Sequence, residues 1–291
     1  METVLSSRHK TVVIGPERPF CIIGERINPT GRKAFQAQLQ ANDISQLDID
    51  IAEQLALAGG ADMLDINVGD PLADEVDLMR QAVLRAQELT DLPLCIDSSV
   101  VEALEAGLSV YEGKALVNSV TGEDERMELI LPIVAKYGAA VIALANDDEI
   151  PMDPERRVEI AHKIVKTAGD YGIPPEDIVI DALAMPIGAE PRAAVLFFET
   201  LKLLREELGV NTTCGASNTS FGMPGRHALN AHFIGTASTH GLTSAIMDAR
   251  SPECIAGARA ADVLHARDEY GMAWIKAFRA RQAAAAAVAG S

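Results

Sequence analysis

No unbroken apolar run approaches the ~18 residues that a membrane-crossing helix needs, so none is predicted. Residues 1–10 are polar and lack an apolar centre, which predicts no signal peptide. No two of the four cysteines (Cys21, Cys95, Cys214 and Cys254) are close enough for a C-x-x-C pair, and three lie in apolar runs. They predict buried, reduced, inert thiols and a cytoplasmic setting. Positive charge is in deficit: 25 Lys and Arg against 42 Asp and Glu leave a net charge of −17. Such a surface repels phosphate backbones and anionic bilayers, so neither nucleic acid nor membrane is an expected partner. No G-x-G-x-x-G follows an early strand-like run, which weakens a dinucleotide-binding reading. There is no H-E-x-x-H. His227, His232 and His240 share one predicted helix without i,i+4 spacing, so exposed or capping histidines are expected and no metal ligands.

What is present is a rhythm. Short apolar runs, most ending in a polar residue, recur at 21–28, 63–69, 94–99, 115–120, 140–146, 178–183, 212–220 and 244–249. Amphipathic stretches separate them at 43–58, 72–89, 123–137, 154–171, 191–208, 226–240 and 252–270, with a short one at 100–107. Pro154, Pro191 and Pro252 suit first helical turns, and Gly209 suits a helix end. Strands alternating with helices imply right-handed crossovers and a parallel sheet. Eight repeats over roughly 230 residues fit a closed barrel better than an open doubly wound sheet. The expected fold is α/β, a single (β/α)8 TIM barrel over residues 21–270. Residues 1–20 form an N-terminal extension or a hairpin on the barrel floor, and 271–291 an alanine-rich helical tail. Met63, Met79, Met127 and Met185 are expected in the core.

In such barrels the chemistry sits at the carboxyl ends of the strands. There this chain carries Asn28, Asp65, Asn67, Asp97, Asn118, Asn146, Asp181, Asn218 and Asp248. Each alone could cap the following helix. As a set they fit two ligands better: a hard divalent cation, or a flat heterocycle rich in N–H donors. In a pterin the N3–H and the 2-amino group lie side by side, and one carboxylate accepts both. Asparagine amides supply donors and acceptors for the other ring edges.

Several segments then resemble the pterin-binding methyltransferases. They are Gly24-Glu25-Arg26-Ile27-Asn28 with Thr30-Gly31, and Asp62-Met63-Leu64-Asp65-Ile66-Asn67-Val68-Gly69. Leu94-Cys95-Ile96-Asp97-Ser98-Ser99, Val117-Asn118-Ser119 and Ile180-Asp181 follow, then Gly215-Ala216-Ser217-Asn218-Thr219-Ser220-Phe221 and Ile246-Met247-Asp248-Ala249. The likeness runs in order through nearly every predicted strand. It is closest to methyltetrahydrofolate:corrinoid-protein methyltransferases and to the folate module of cobalamin-dependent methionine synthase. The related dihydropteroate synthases usually carry D-P-G-x-G-F-x-K, where this chain reads Asp181-Ala182-Leu183-Ala184-Met185-Pro186-Ile187-Gly188. Their lysine after the seventh strand is replaced by Ser217-Asn218-Thr219-Ser220, and their closing Arg-x-His-Asp by Met247-Asp248-Ala249-Arg250.

The resemblance implies pterin contacts at Asp97, Asn118 and Asp181, with Glu25, Asn28, Asp65 and Asn67 in the same folate site. Asn218 is implied as the catalytic residue, hydrogen-bonding N5 as its methyl departs. The substrate would be tetrahydrofolate or 5-methyltetrahydrofolate. The other methyl carrier would be a corrinoid (a cobalamin) on a partner protein, because no D-x-H-x-x-G motif occurs here. Transfer in either direction is allowed, and a homodimer is expected because the family often forms one. Arg32 and Lys33 are candidates for the folate glutamate tail. The alternatives are a dihydropteroate synthase-like enzyme, a metal-dependent barrel lyase or aldolase, or a non-catalytic folate-binding subunit.

Overall fold

A computed structural model describes residues 1–289. The strands are β1 (Thr3–Ser6), β2 (Thr11–Ile14), β3 (Cys21–Ile27), β4 (Met63–Asn67), β5 (Leu94–Asp97), β6 (Leu116–Val120), β7 (Ala140–Leu144), β8 (Ile178–Asp181), β9 (Asn211–Thr213) and β10 (Ser244–Met247). The helices are α1 (Lys33–Gln40), α2 (Gln46–Leu55), α3 (Glu75–Leu89), α4 (Val101–Val110), α5 (Asp124–Tyr137), α6 (Pro154–Asp170), α7 (Ala193–Glu207), α8 (Arg226–His240), α9 (Pro252–Leu264) and α10 (Met272–Ala289).

Eight parallel strands run β10-β3-β4-β5-β6-β7-β8-β9, and the fold is the expected TIM barrel. The seam between β9 and β10 has one parallel bridge, Gly215 to Ile246, with the Ile246 N–H donating to Cys214 O at 2.9 Å. Side chains take over where the ladder thins. Thr243 Oγ1 accepts from the Thr212 N–H and donates to Thr212 O, both at 2.9 Å, and Ser244 Oγ donates to Thr212 O at 3.0 Å. These bonds stand in for part of the missing ladder.

Alternation along the strands sorts the core. Ile22, Leu64, Ile66, Leu94, Ile96, Val117, Val141 and Ile180 face the helices in one buried cluster. Cys21, Ile23, Met63, Cys95, Leu116, Ala140, Ile142 and Val179 fill the barrel interior with Leu5 and Ile14 of the β1–β2 hairpin. That hairpin pairs Thr3 with Ile14 antiparallel. Buried Asn211 fastens it to β9, donating from Nδ2 to Thr3 Oγ1 and Ile14 O at 2.9 Å each.

Helix starts follow local chemistry. Asp153 caps α6 through the Glu155 N–H with Pro154 in the first turn, and Ser251 caps α9 through the Cys254 N–H with Pro252 next. Gly138, at φ 60°, ends α5 in the left-handed conformation that glycine takes without strain.

Three elements depart from expectation. Helix α1 is an addition. It buries Phe35 and Leu39, one turn apart, and has no side-chain cap to announce it. The seventh barrel strand, expected over 212–220, stops at Thr213, and a 3-10 turn covers Ala216–Asn218. The run of small and hydroxylated residues there favours turns. The helix expected over 252–270 ends at Leu264, and the Asp268 carboxylate starts α10 by accepting the Ala273 and Trp274 N–H groups at 2.9 and 2.8 Å. Of the alanine-rich tail, residues 290–291 lie outside the described residues.

Candidate functional site at the barrel mouth

The same alternation that fills the interior builds the site. Successive inward positions lie two residues apart. Two steps beyond Ile23 comes Glu25. Beyond Met63 come Asp65 and then Asn67. Asp97 follows Cys95, Asn118 follows Leu116, Asp181 follows Val179, and Asp248 follows Ile246. Each of these strands thus turns from apolar to polar as it climbs to its carboxyl end.

A cavity of about 530 Å³ opens there, a size suited to a small-molecule ligand. Glu25, Asn28, Asp65, Asp97, Asn118 and Asn218 all line it. Asn67 and Asp181 are not in its lining. Asn67 stands behind Asp97, donating from Nδ2 to Asp97 Oδ2 at 2.8 Å. Asp181 ends β8 with its Oδ1 accepting the Leu183 N–H at 2.7 Å.

Asp65 is 2% exposed. Burial first, and then the Asp97 carboxylate, raise its pKa well above the carboxylate range. The proton so retained lies in a hydrogen bond to Asp97, and Asn118 Nδ2 donates to Asp65 Oδ1 at 3.2 Å. Burial raises Asp97 to about 6, opposed by the hydrogen bonds from Asn67 and Asp65. Asp181 is also raised to about 6 by burial, against the Leu183 N–H and the charge of Arg157. Burial raises Glu25 to about 7. Its Oε1 accepts from Ser217 Oγ at 2.7 Å.

Asn218 is exposed at the end of the Ala216–Asn218 turn, and its side-chain amide has no hydrogen bond among the described residues. Gly215 leaves room for it, since a Cβ there would stand 2.9 Å from Asn218 Nδ2. From the other side Arg226 Nη2 donates to Ser217 O at 2.8 Å and Nε to Ser220 Oγ at 3.1 Å. The turn is thus held by β3 and by α8 while Asn218 keeps both amide functions for a ligand.

Four arginines also line the cavity, and the sequence assigns a role only to Arg32, at the folate glutamate tail. Arg32 grips buried Asp50 in two hydrogen bonds of 2.6 and 3.0 Å, and Arg26 approaches the same carboxylate at 3.5 Å. Lys33 is exposed on α1 and is not in the lining. Arg250 chelates Asp248 at 2.9 and 3.0 Å and reaches Glu53 at 3.0 Å. Arg26 and Arg226 complete the group. Arg226 and Ser217 had a signal, adjacency to the Asn218 segment. Arg26 lies in the motif at 24–28, which gives it no role.

All four cysteines are free and buried. Among the described residues, no three His, Cys, Asp or Glu side chains are grouped so as to hold a metal ion, and no helix is long and apolar enough to cross a membrane.

The family model described as pterin binding enzyme matches residues 24–248. The methylcorrinoid:tetrahydrofolate methyltransferase of Eubacterium limosum is 31% identical over 265 residues, covering 89% of this chain and 96% of that protein. Methionine synthase of Mycobacterium tuberculosis is 32% identical over 262 residues, 85% of this chain but 22% of the synthase. Among solved structures, dihydropteroate synthase from Xanthomonas albilineans in complex with 7,8-dihydropteroate aligns with a TM-score of 0.68 at 20% identity, covering 87% of this chain and 96% of the other. Yersinia pestis DHPS aligns at 0.67 and 15% identity, covering 91% and 100%. At such identities the structural likeness shows the fold.

Proposed function

Since the chain belongs to the pterin binding enzyme family, we propose that it is a methyltransferase exchanging a methyl group between N5 of tetrahydrofolate and the cobalt of a corrinoid carried by another protein. The observation that carries this is the identity, along almost the whole of both chains, to a methylcorrinoid:tetrahydrofolate methyltransferase. The site supports it chemically. Asp181 stands outside the cavity lining at the end of neighbouring β8, but its Oδ2 accepts no hydrogen bond among the described residues, and on this reading the carboxylate meets the N3–H and 2-amino edge of the pterin. Asp97 and Asn118, fixed by Asn67 and Asp65, meet the other ring heteroatoms. Glu25 and Asn28 close the near wall. These contacts bind and orient the ring without doing the chemistry.

The difficult event is the departure of N5 from the methyl carbon, since the nitrogen must gain a proton or a strong hydrogen bond as the bond breaks. Asn218, with its amide unpaired, is the group that strengthens its bond in the transition state. Water supplies the proton. The corrinoid supplies the metal centre that takes or gives the methyl group. Leu72, Ile150, Met152, Phe221 and Met223 are exposed on loops that follow the strands, an apolar rim suited to a docking protein. For the homodimer, the candidate face is the small-residue groove between α8 and α9, lined by Ala231, Gly235, Gly257, Ala260 and Leu264. Sedimentation of the wild type and of Leu264→Glu tests it: a dimer that Leu264→Glu dissociates supports this face, and a monomeric wild type removes it. Dihydropteroate synthase activity shares the fold and the pterin binding family, but the methyltransferase relatives that match along the chain do not favour it.

The test is methyl exchange. Enzyme, 5-methyltetrahydrofolate and reduced free cobalamin are mixed and visible absorbance is followed. Formation of methylcobalamin in proportion to enzyme is expected. Absence of exchange with free cobalamin and with every corrinoid protein tried, despite folate binding, leaves the non-catalytic folate-binding subunit instead.

A further inference from the structure

Arg157, on α6, is 1% exposed, yet it makes no ion pair within 4.0 Å among the described residues. A buried cation without a carboxylate in direct contact is costly unless other groups replace its water. Here carbonyl oxygens do so. Nε donates to Pro151 O at 2.7 Å. Nη1 donates to Ala182 O at 2.7 Å and to Leu183 O at 3.0 Å.

Those last two carbonyls belong to the turn that follows β8. Leu183 sits at φ 62°, a conformation that leucine rarely adopts, and its N–H is donated to Asp181 Oδ1 at 2.7 Å. The three-residue turn is therefore fixed from both ends, by the Asp181 carboxylate above and the Arg157 guanidinium below. Asp181 Oδ2 accepts no hydrogen bond from the described residues. The charges also answer one another: Asp181 is the partner that opposes the effect of burial on Arg157, and Arg157 does the same for Asp181. Among the described residues the Cys214 thiol after β9 is raised by burial and also by the Asp181 charge.

We propose that Arg157 is a positioning residue of the site, which locks the Asp181 turn from beneath and holds the Asp181 carboxylate ready for two N–H donors of the pteridine. It never touches substrate. The proposal rests on Asp181 contacting the pterin, as in the function proposed above. A side chain 24 residues away in sequence, with no motif of its own, would then set the affinity of the site.

The test is calorimetric titration of tetrahydrofolate into the wild type, Arg157→Met, Arg157→Lys, Asp181→Asn and the two double variants, with thermal melts alongside. We expect Arg157→Met to weaken binding about tenfold and Arg157→Lys, which keeps the charge but loses the fork, about threefold. In the Asp181→Asn background both changes should leave affinity unaltered, because their effect passes through that carboxylate. Affinity of Arg157→Met should also begin to fall at a higher pH than that of the wild type. Equal losses in both backgrounds would mean a general structural role and would overturn the proposal. If Arg157→Met does not fold, Arg157→Lys completes the same cycle. The failure of the underlying reading looks different: Asp181→Asn would then bind as the wild type does, or no folate would bind at all, and both ideas would fall together.

Discussion

Ser217 Oγ lies 2.7 Å from Glu25 Oε1, and this one hydrogen bond ties the turn bearing Asn218 to the end of β3. The turn after the seventh barrel strand thus reaches the first strand past β10, which lies between them. Ser217→Ala should cost the fold only about 1 kcal/mol, while methyl exchange falls several-fold because Asn218 loses its fixed bearing. Thermal melts and turnover measured on one preparation separate the two effects.

Glu25 makes the same contact sensitive to pH. Burial lifts its pKa from 4.5 to about 7, so the folded protein holds a proton that the unfolded chain has released. The stability from this group is fully present below pH 4.5 and is lost as pH rises through 7. Glu25→Gln cannot lose that proton. Its melting temperature relative to the wild type should therefore improve between pH 5 and pH 8, values taken about the shift just given. A constant difference across that range would contradict the buried, near-neutral carboxyl.

Gly215 offers a cleaner probe of Asn218. Its φ of −74° suits any residue, yet an added Cβ would stand 2.9 Å from Asn218 Nδ2. The amide can swing aside cheaply, so Gly215→Ala should melt near the wild-type temperature. Turnover should drop about tenfold or more, since misplacement by even an ångström is costly in a site built on orientation. Unchanged turnover would remove Asn218 from the transition state.

Asn218→Ala and Asp181→Ala should differ in kind. At saturating folate the first should lower kcat far more, and the second should act mainly on KM. Equal losses of kcat would refute this division of roles.

The floor is independent of the mouth. Leu5 is fully buried in the interior cluster, and Leu5→Ala should destabilise by about 2–5 kcal/mol with folate affinity intact in the folded fraction. Denaturant unfolding and calorimetry check the two halves of that statement.

Much of this was legible in the sequence because period-two alternation and strand-end carboxylates are local signals. Leu94-Cys95-Ile96-Asp97 already says which residues face the helices and which face the interior. The short seventh strand was not legible: on its β10 side the ladder gives way to Thr243 and Ser244 side chains that bond the Thr212 backbone, about thirty residues away in sequence. Arg32 illustrates a second blind spot. From sequence it is a loose cation near a folate tail, and only the fold brings Asp50 beneath it. Arg157 reads as one more charge in an amphipathic helix. Its burial depends on where the β8 turn passes, and nothing within α6 announces that.

The most direct measurement is a calorimetric titration of tetrahydrofolate into the wild-type chain and into Asp97→Ala. Saturable one-to-one binding at micromolar concentrations, strongly weakened by the substitution, is the expected result. No heat from any reduced folate, with the protein folded, would contradict a barrel mouth shaped for a pteridine.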